Sequence, residues 1–468
     1  MKKYTLFALY LFTGDAFVRI INFCTTAYIA RVLDTSGFGL ITIGSSFLTY
    51  ALLLSDCGLK TLGFIETARH QEKREFSLAD IFSTKILLAT ISFIALYGAS
   101  YILFKENRLH TICVLFLLNV LYDALFIDWY FKGIQRFKSV SIAFMVSSLI
   151  YFFAAVLFIK DPSDAAKAPL LFFVSNMVSV LILCMLFPWS TSGFRFTFSL
   201  HTSFAIFKNS LVIGLSTLLN QVTVYLPPIV LGMYLDVHNS GIFGAAFKIV
   251  LLALIADRVF STIFLSTLPR IWNESRDNAV KYLQTIVHIT IAAGFLVSLI
   301  ISLGSETIIS LIYGDTYRES SHILMIISWF IVLTMINTIF AYGLLAIGQK
   351  RLYLKATATG FVVNTILILI LTASYGISGT CVSLLAGELI FMVLCYLEFK
   401  KFCNLRFYIP FLKSLFIGAS LFFTGYMLPL HPLVKCIFAI PVFMVMTILF
   451  NVVTKNDLKL IRVKWNAQ

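Results

Sequence analysis

The sequence predicts an all-α, polytopic integral membrane protein with about fourteen transmembrane helices, and three observations carry that expectation. Charged residues make up only 12% of the chain, against about 25% in soluble domains. Mean hydropathy is +0.93, far above what a water-exposed surface tolerates. Apolar runs long enough to span a bilayer recur from end to end, ILLATISFIALYGASYILF at 86–104 among them. That run does not alternate polar with apolar residues, as a membrane-spanning β-strand must.

A span needs about twenty residues. Fourteen are placed at 5–30, 38–63, 81–104, 110–131, 139–159, 169–189, 210–235, 242–268, 282–304, 322–346, 355–375, 377–397, 410–429 and 433–453. The glycines of YGISGT (375–380) suit a tight turn between the eleventh and twelfth. The N-terminal stretch MKKYTLFALYLFTGDAF continues as apolar helix without a small-residue cleavage site, so it reads as the first span. With the N-terminus in the cytoplasm, 23 of the 36 Lys and Arg fall in cytoplasmic segments and 7 in outer loops. That asymmetry supports the number of spans and predicts that both termini are cytoplasmic.

Several classes are excluded. The basic residues sit in short loops rather than a stripe that could follow a phosphate backbone, so nucleic acid is not the partner. There is no Gly-rich nucleotide motif and no loop long enough for a soluble catalytic domain. The eight cysteines are scattered singly without metal spacing and read as small apolar residues, so no metal and no cofactor is expected beyond a coupling H+ or Na+. The segment SLHTSFAIFK (199–208) reads as an amphipathic helix on the inner surface.

Two phrases repeat. RVLDTSGFGLITIG (31–44) follows span one, and YLDVHNSGIFGAAF (234–247) follows span seven. WYFKGIQRFK (129–138) follows span four, and LLAIGQKRLYLK (344–355) follows span ten. Echoes in the same order and topology predict two parallel six-helix lobes, 1–189 and 210–399. A cytoplasmic linker, 190–209, joins them, and 400–468 adds two helices and a tail. Gly37 is expected to match Gly241, and Gly133 to lie near Gly348. Parallel repeats with a site between the halves are a transporter architecture.

LDTSGFG, DCGLKTLGFIETARH (56–70), DWYFKGIQRFK (128–138) and STLPR (266–270), in this order, resemble the bacterial polysaccharide flippases of the multidrug/oligosaccharidyl-lipid/polysaccharide transporter superfamily. The resemblance covers roughly residues 1–400. It implies alternating access, a polyprenyl-diphosphate-linked oligosaccharide as substrate, and a central cavity lined by helices one, two, seven and eight.

Ionisable side chains at span depth are costly, so each is a functional candidate. Asp15 and Arg19, and Asp56 and Lys60, are spaced i, i+4 and share a helix face. They are either internal pairs or parts of a site. Span eight holds Lys248, Asp257 and Arg258. In the fold that the resemblance implies, Arg19, Lys60, Lys248 and Arg258 share one cavity, where Arg suits a diphosphate. Asn220 and Gln221 lie opposite span one in the repeat. Pro227 and Pro228 introduce a bend. Asp15, Asp56, Asp123, Asp257 and Glu388 are the candidates for coupling an ion; Asp123 and Glu388 have no partner on their own helices. Asp128 is placed in a surface pair with Lys132. Trp129, Tyr130 and Phe131 are expected in an interfacial aromatic belt.

The function expected is flipping of lipid-linked oligosaccharide to the outer leaflet for surface polysaccharide synthesis. The protein is read as a monomer in contact with membrane lipid, the polysaccharide polymerase and the chain-length machinery. The alternatives are an ion-coupled drug exporter of the same superfamily and a membrane polysaccharide polymerase; the latter lacks the large outer loop or clustered acids that its chemistry needs.

Overall fold

The computed structural model describes residues 2–69, 75–104, 107–188, 199–429, 431–454 and 457, and these hold helices and no strand. In chain order the helices are α1 (Lys2–Asp56), α2 (Leu59–Ala68), α3 (Leu78–Leu103), α4 (Asn107–Leu125), α5 (Asp128–Gly133), α6 (Phe137–Phe158), α7 (Lys167–Leu186) and α8 (Leu200–Tyr234). They continue as α9 (Val237–Ala253), α10 (Ile255–Glu274), α11 (Arg276–Leu303), α12 (Ser305–Tyr313), α13 (Glu319–Ile327), α14 (Phe330–Ala346), α15 (Lys350–Lys400), α16 (Tyr408–Met427) and α17 (Pro432–Leu449). Eleven helical stretches among the described residues are long and apolar enough to cross a bilayer.

Several expected loops are only breaks in a helix. α1 carries a non-helical residue at Asp34 (φ 61°, ψ −177°), and α15 carries one at Gly376 (φ 62°, ψ −142°). These are the turns anticipated at LDTSG and YGISGT, reduced to one residue each. The expected second span runs past a real break. Cys57 (φ 40°) and Gly58 (φ 88°) end one helix and start α2. SLHTSFAIFK is not a separate surface helix; it forms the first turns of α8. Ser199 accepts from the Thr202 amide, and Ile206 is fully buried. Residues 190–198 of the expected linker lie outside the described residues.

Helix ends repeat one geometry. After α5 the Arg136 amide donates to the Phe131 carbonyl, with Gln135 left-handed; after α14 the Gln349 amide donates to Leu344, with Gly348 left-handed. Both are Schellman caps, which satisfy carbonyls that a helix end orphans. The residue matching Gly348 is therefore Gln135, two positions past the expected Gly133.

Two compact units divide the chain, Met1–Gly244 and Ala245–Gln468. In the first, one apolar cluster runs through Ile43, Phe47, Cys113, Phe116 and Val120, and a second through Leu59, Phe82, Trp129 and Phe131. Polar glue joins its helices: Asn176 on α7 accepts from Ser147 and donates to Asn119 at 3.1 and 3.2 Å. Such bonds hold helices together where apolar burial cannot, because lipid is as apolar as the interface. In the second unit the core passes through Phe264, Leu283, Phe295, Ile336, Phe340 and Phe399. The last two helices pack here. A Cβ on Gly418 would touch Phe295, and a Cβ on Gly425 would touch Leu303, both on α11.

Candidate functional site

In the first unit, two motifs singled out from the sequence fold against each other. A Cβ on Gly63 would stand 2.7 Å from the Trp129 ring, and one on Gly133 would stand 2.5 Å from the Thr67 side chain. Trp129, Tyr130 and Phe131 are buried, at 2%, 8% and 0% exposure. They form core under α2 and not an interfacial belt. Phe126 and Ile127 join them in that core, because α4 stops at Leu125 and the chain turns before α5.

The same turn brings charges together. Asp56 and Lys60 do not pair through their side chains. Asp56 instead accepts the amides of Gly58 (3.3 Å) and Lys60 (3.0 Å), bridging the break between α1 and α2. Left-handed Cys57 and Gly58 destroy the i, i+4 face that the pairing assumed. Lys60 donates to Asp123, which is therefore not the lone carboxyl expected. Lys85 of α3, 1% exposed, stands 3.6 Å from the same carboxylate. Its ammonium also donates to the Asp123 carbonyl, and at 3.1 Å to that of Phe126. Asp128 pairs with Lys132 at 2.5 Å as expected, but its own side chain is buried. Nothing on α3 itself marks Lys85 for this role, since its partners come from α4 and the turn that follows it.

Asp15 and Arg19 form a 2.7 Å ion pair in which both side chains stay accessible, 54% and 34%. Gln221 is half-buried, and Asn220 lies outside the residues whose side chains are described. α8 runs through Pro227 and Pro228; nearby, the Tyr50 hydroxyl donates to the Val222 carbonyl and Ser240 to that of Pro228, at 2.9 Å each. The two LD motifs meet directly. Asp34 caps the Gly37 amide, Asp236 caps that of Asn239, and Thr35 Oγ1 lies 2.7 Å from His238 Nδ1.

In the second unit Lys248 is half-buried and Arg258 exposed, and neither makes an ion pair among the described residues. Beside Arg258, Asp257 is buried and accepts from Thr338 at 2.9 Å; its other oxygen has no hydrogen-bond partner. Glu388 accepts from Asn337 at 2.6 Å. Adjacent residues of α14 thus hold the two carboxylates, from α10 and α15. Asn337 and Thr338 escaped sequence reasoning because an amide and a hydroxyl at span depth are common. Only their placement opposite two acids gives them meaning.

The family model described as polysaccharide biosynthesis protein matches residues 8–273, and the MatE model matches 273–370. A protein of Escherichia coli (strain K12) described as an O-antigen transporter is 22% identical over 374 residues, 78% of this chain and 89% of that protein. Among solved structures, the lipid II flippase MurJ in an inward closed conformation superposes with a TM-score of 0.75 at 13% identity, covering 95% of this chain and 98% of that one. An inward-facing multidrug resistance MATE family transporter gives 0.65 at 15% identity, covering 82% and 97%. The fold is shared with both. With more than half its length matched by one family model, this multi-pass membrane protein belongs to the polysaccharide biosynthesis protein family of the multidrug/oligosaccharidyl-lipid/polysaccharide transporter superfamily.

Proposed function

We propose that the protein flips polyprenyl-diphosphate-linked oligosaccharide from the cytoplasmic to the outer leaflet of the inner membrane by alternating access, for surface polysaccharide synthesis. The observation that carries this reading is Arg258, an accessible guanidinium on a membrane-length helix without an ion-pair partner among the described residues. A cation kept unpaired at span depth is expensive unless an anion visits it. The diphosphate of a lipid carrier offers oxygens that a guanidinium holds bidentately. Arg19, Lys60, Lys248, Gln221 and Asn220 complete the proposed binding set.

Asp257 and Glu388 are the proposed ion-coupling groups. Each accepts one hydrogen bond from α14 and keeps capacity for a proton or Na+. Asp15, Asp56 and Asp123 recede from that role: Asp15 and Asp123 face ammonium or guanidinium groups, and Asp56 caps backbone. The polymerase and chain-length proteins are the proposed partners, acting on the product outside.

The test is deletion of the gene, followed by analysis of surface glycan and of lipid-linked units on each leaflet. Units accumulating on the inner leaflet, with surface glycan lost, are expected; complementation by Arg258→Ala should fail. Unchanged glycan with increased sensitivity to organic cations would instead support export of drugs, the reading that the MatE match at 273–370 favours.

A further inference from the structure

We propose that Lys85 is a positioning residue, a fixed counter-charge for Asp123 that frees Lys60 to exchange between Asp123 and a diphosphate. The inference rests on the flippase reading and assigns a first contact for the lipid headgroup. Two ammonium groups face one carboxylate. The neighbouring acids are already engaged, Asp128 by Lys132 and Asp56 by backbone amides. The triad therefore carries one surplus positive charge, which an anion would neutralise.

Exposure separates the two lysines. The Lys60 side chain is 34% accessible, while those of Asp123 and Lys85 are 4% and 1%. Only Lys60 can meet a ligand. Lys85 is held by the Asp123 carbonyl, which also accepts from the Phe126 amide at 3.3 Å, and by the Phe126 carbonyl, both at the break that follows α4. It stays in place whatever Lys60 does. The second carboxylate oxygen of Asp123 accepts no hydrogen bond and stands 3.6 Å from Lys85. A small movement of either group closes that gap when Lys60 leaves. Gly63 against Trp129 fixes the rotation of α2, so Lys60 has a defined direction. Without Lys85, departure of Lys60 would strand a buried carboxylate, so Lys60 would stay locked on Asp123. The charge asymmetry of the loops puts this cluster toward the cytoplasmic end, where a lipid-linked unit is made available.

The test uses the full-length protein in phosphatidylcholine nanodiscs, with undecaprenyl diphosphate as probe and undecaprenol and inorganic pyrophosphate as controls. Lys60→Gln should weaken binding of the lipid diphosphate at least tenfold. Lys85→Met should weaken it comparably, although Lys60 is intact. In Lys85→Met/Asp123→Asn, Lys60 has no rival, and affinity should return to within threefold of wild type; adding Lys60→Gln should abolish it. The double variant remains informative if Lys85→Met alone fails to fold, because it removes one charge of each sign. Lys85→Met binding like wild type, or the double variant binding as weakly as Lys60→Gln, overturns the role of Lys85. Pyrophosphate competing as well as the lipid form overturns a lipid headgroup as occupant. A wild-type protein that does not distinguish undecaprenyl diphosphate from undecaprenol refutes the flippase reading itself.

Discussion

Gly39 lies so close under Val237 that a Cβ would stand 1.7 Å from the Val237 carbonyl oxygen. The reciprocal contact exists as well, since a Cβ on Gly241 would stand 2.0 Å from the carbonyl oxygen of Thr35. Thr35 and Val237 each follow the Asp of an LD motif, and Gly39 and Gly241 each lie four residues further on. The two motifs thus meet as a two-fold pair. The residue equivalent to Gly241 is Gly39, not the expected Gly37, whose amide is taken by the Asp34 cap.

Obstruction by backbone cannot be relieved by a rotamer change. Gly39→Val and Gly241→Val should therefore each force this crossing apart, at a cost of about 1–3 kcal/mol or more. A cysteine introduced at Ser36 should react faster with an impermeant thiol reagent in either variant than in the parent. Unchanged reactivity would mean that the crossing tolerates a side chain.

Arg19 and Asp15 can be separated by a double-mutant cycle. As headgroup ligand, Arg19→Ala should abolish surface glycan with protein level unchanged, and Asp15→Ala/Arg19→Ala should not restore it. Arg19→Lys should keep part of the activity, since charge survives without the fork. Recovery of glycan in the double variant would make the pair structural.

Ion coupling is tested at Glu388 and Asp257. Glu388→Gln and Asp257→Asn keep a hydrogen-bond acceptor for Asn337 and Thr338 but cannot ionise. Each should lower transport at least tenfold and abolish its response to an imposed proton or Na+ gradient. A full response in both would exclude these carboxylates.

The C-terminal tail should be docked by charge. Asp457 accepts from His288 Nδ1 at 2.9 Å and from the Thr454 amide and hydroxyl at 2.8 and 2.7 Å. Gln284 Nε2 lies 2.8 Å from His288 Nε2, which leaves Nδ1 as the donor to Asp457. Burial alone would raise the Asp457 pKa, but the bonds from His288 and Thr454 outweigh it and hold the carboxyl below its usual range. A depressed acid stabilises fully above its unfolded pKa of about 3.9. The contribution is lost as pH falls through the folded value. Protection of the Thr454 amide from exchange, relative to its intrinsic rate at each pH, should be high near neutrality and fall below about pH 4. Asp457→Asn should lower that protection near neutrality by roughly the fivefold to tenfold that a hydrogen bond of about 1 kcal/mol implies, and should have little effect at the acid end, where the carboxyl is already protonated.

Topology is checked by reporter fusions. Those at Lys105, Lys160, Asp236 and Arg318 should report outside, and those at Arg136, Arg276, Lys350 and the C-terminus inside. An outside C-terminus would require an odd number of spans.

Fold class followed from composition and run length because a bilayer core accepts few charges and only helices or closed barrels. The kinship of the two LD motifs was legible because each Asp caps an amide three residues on, and so was the Asp128–Lys132 pair, being local to one helix. Breaks inside helices were not legible in kind. Asp34 and Gly376 show that one residue at positive φ replaces a loop, and hydropathy barely registers one residue. The charge partners were invisible for a related reason. Lys60, Asp123 and Lys85 lie on three helices, and their pairing depends on the Cys57–Gly58 break that turned Lys60 away from Asp56. Sequence spacing fixes neighbours only along an unbroken helix. Which buried charge meets which, and which cation is left for a ligand, was decided by packing between helices.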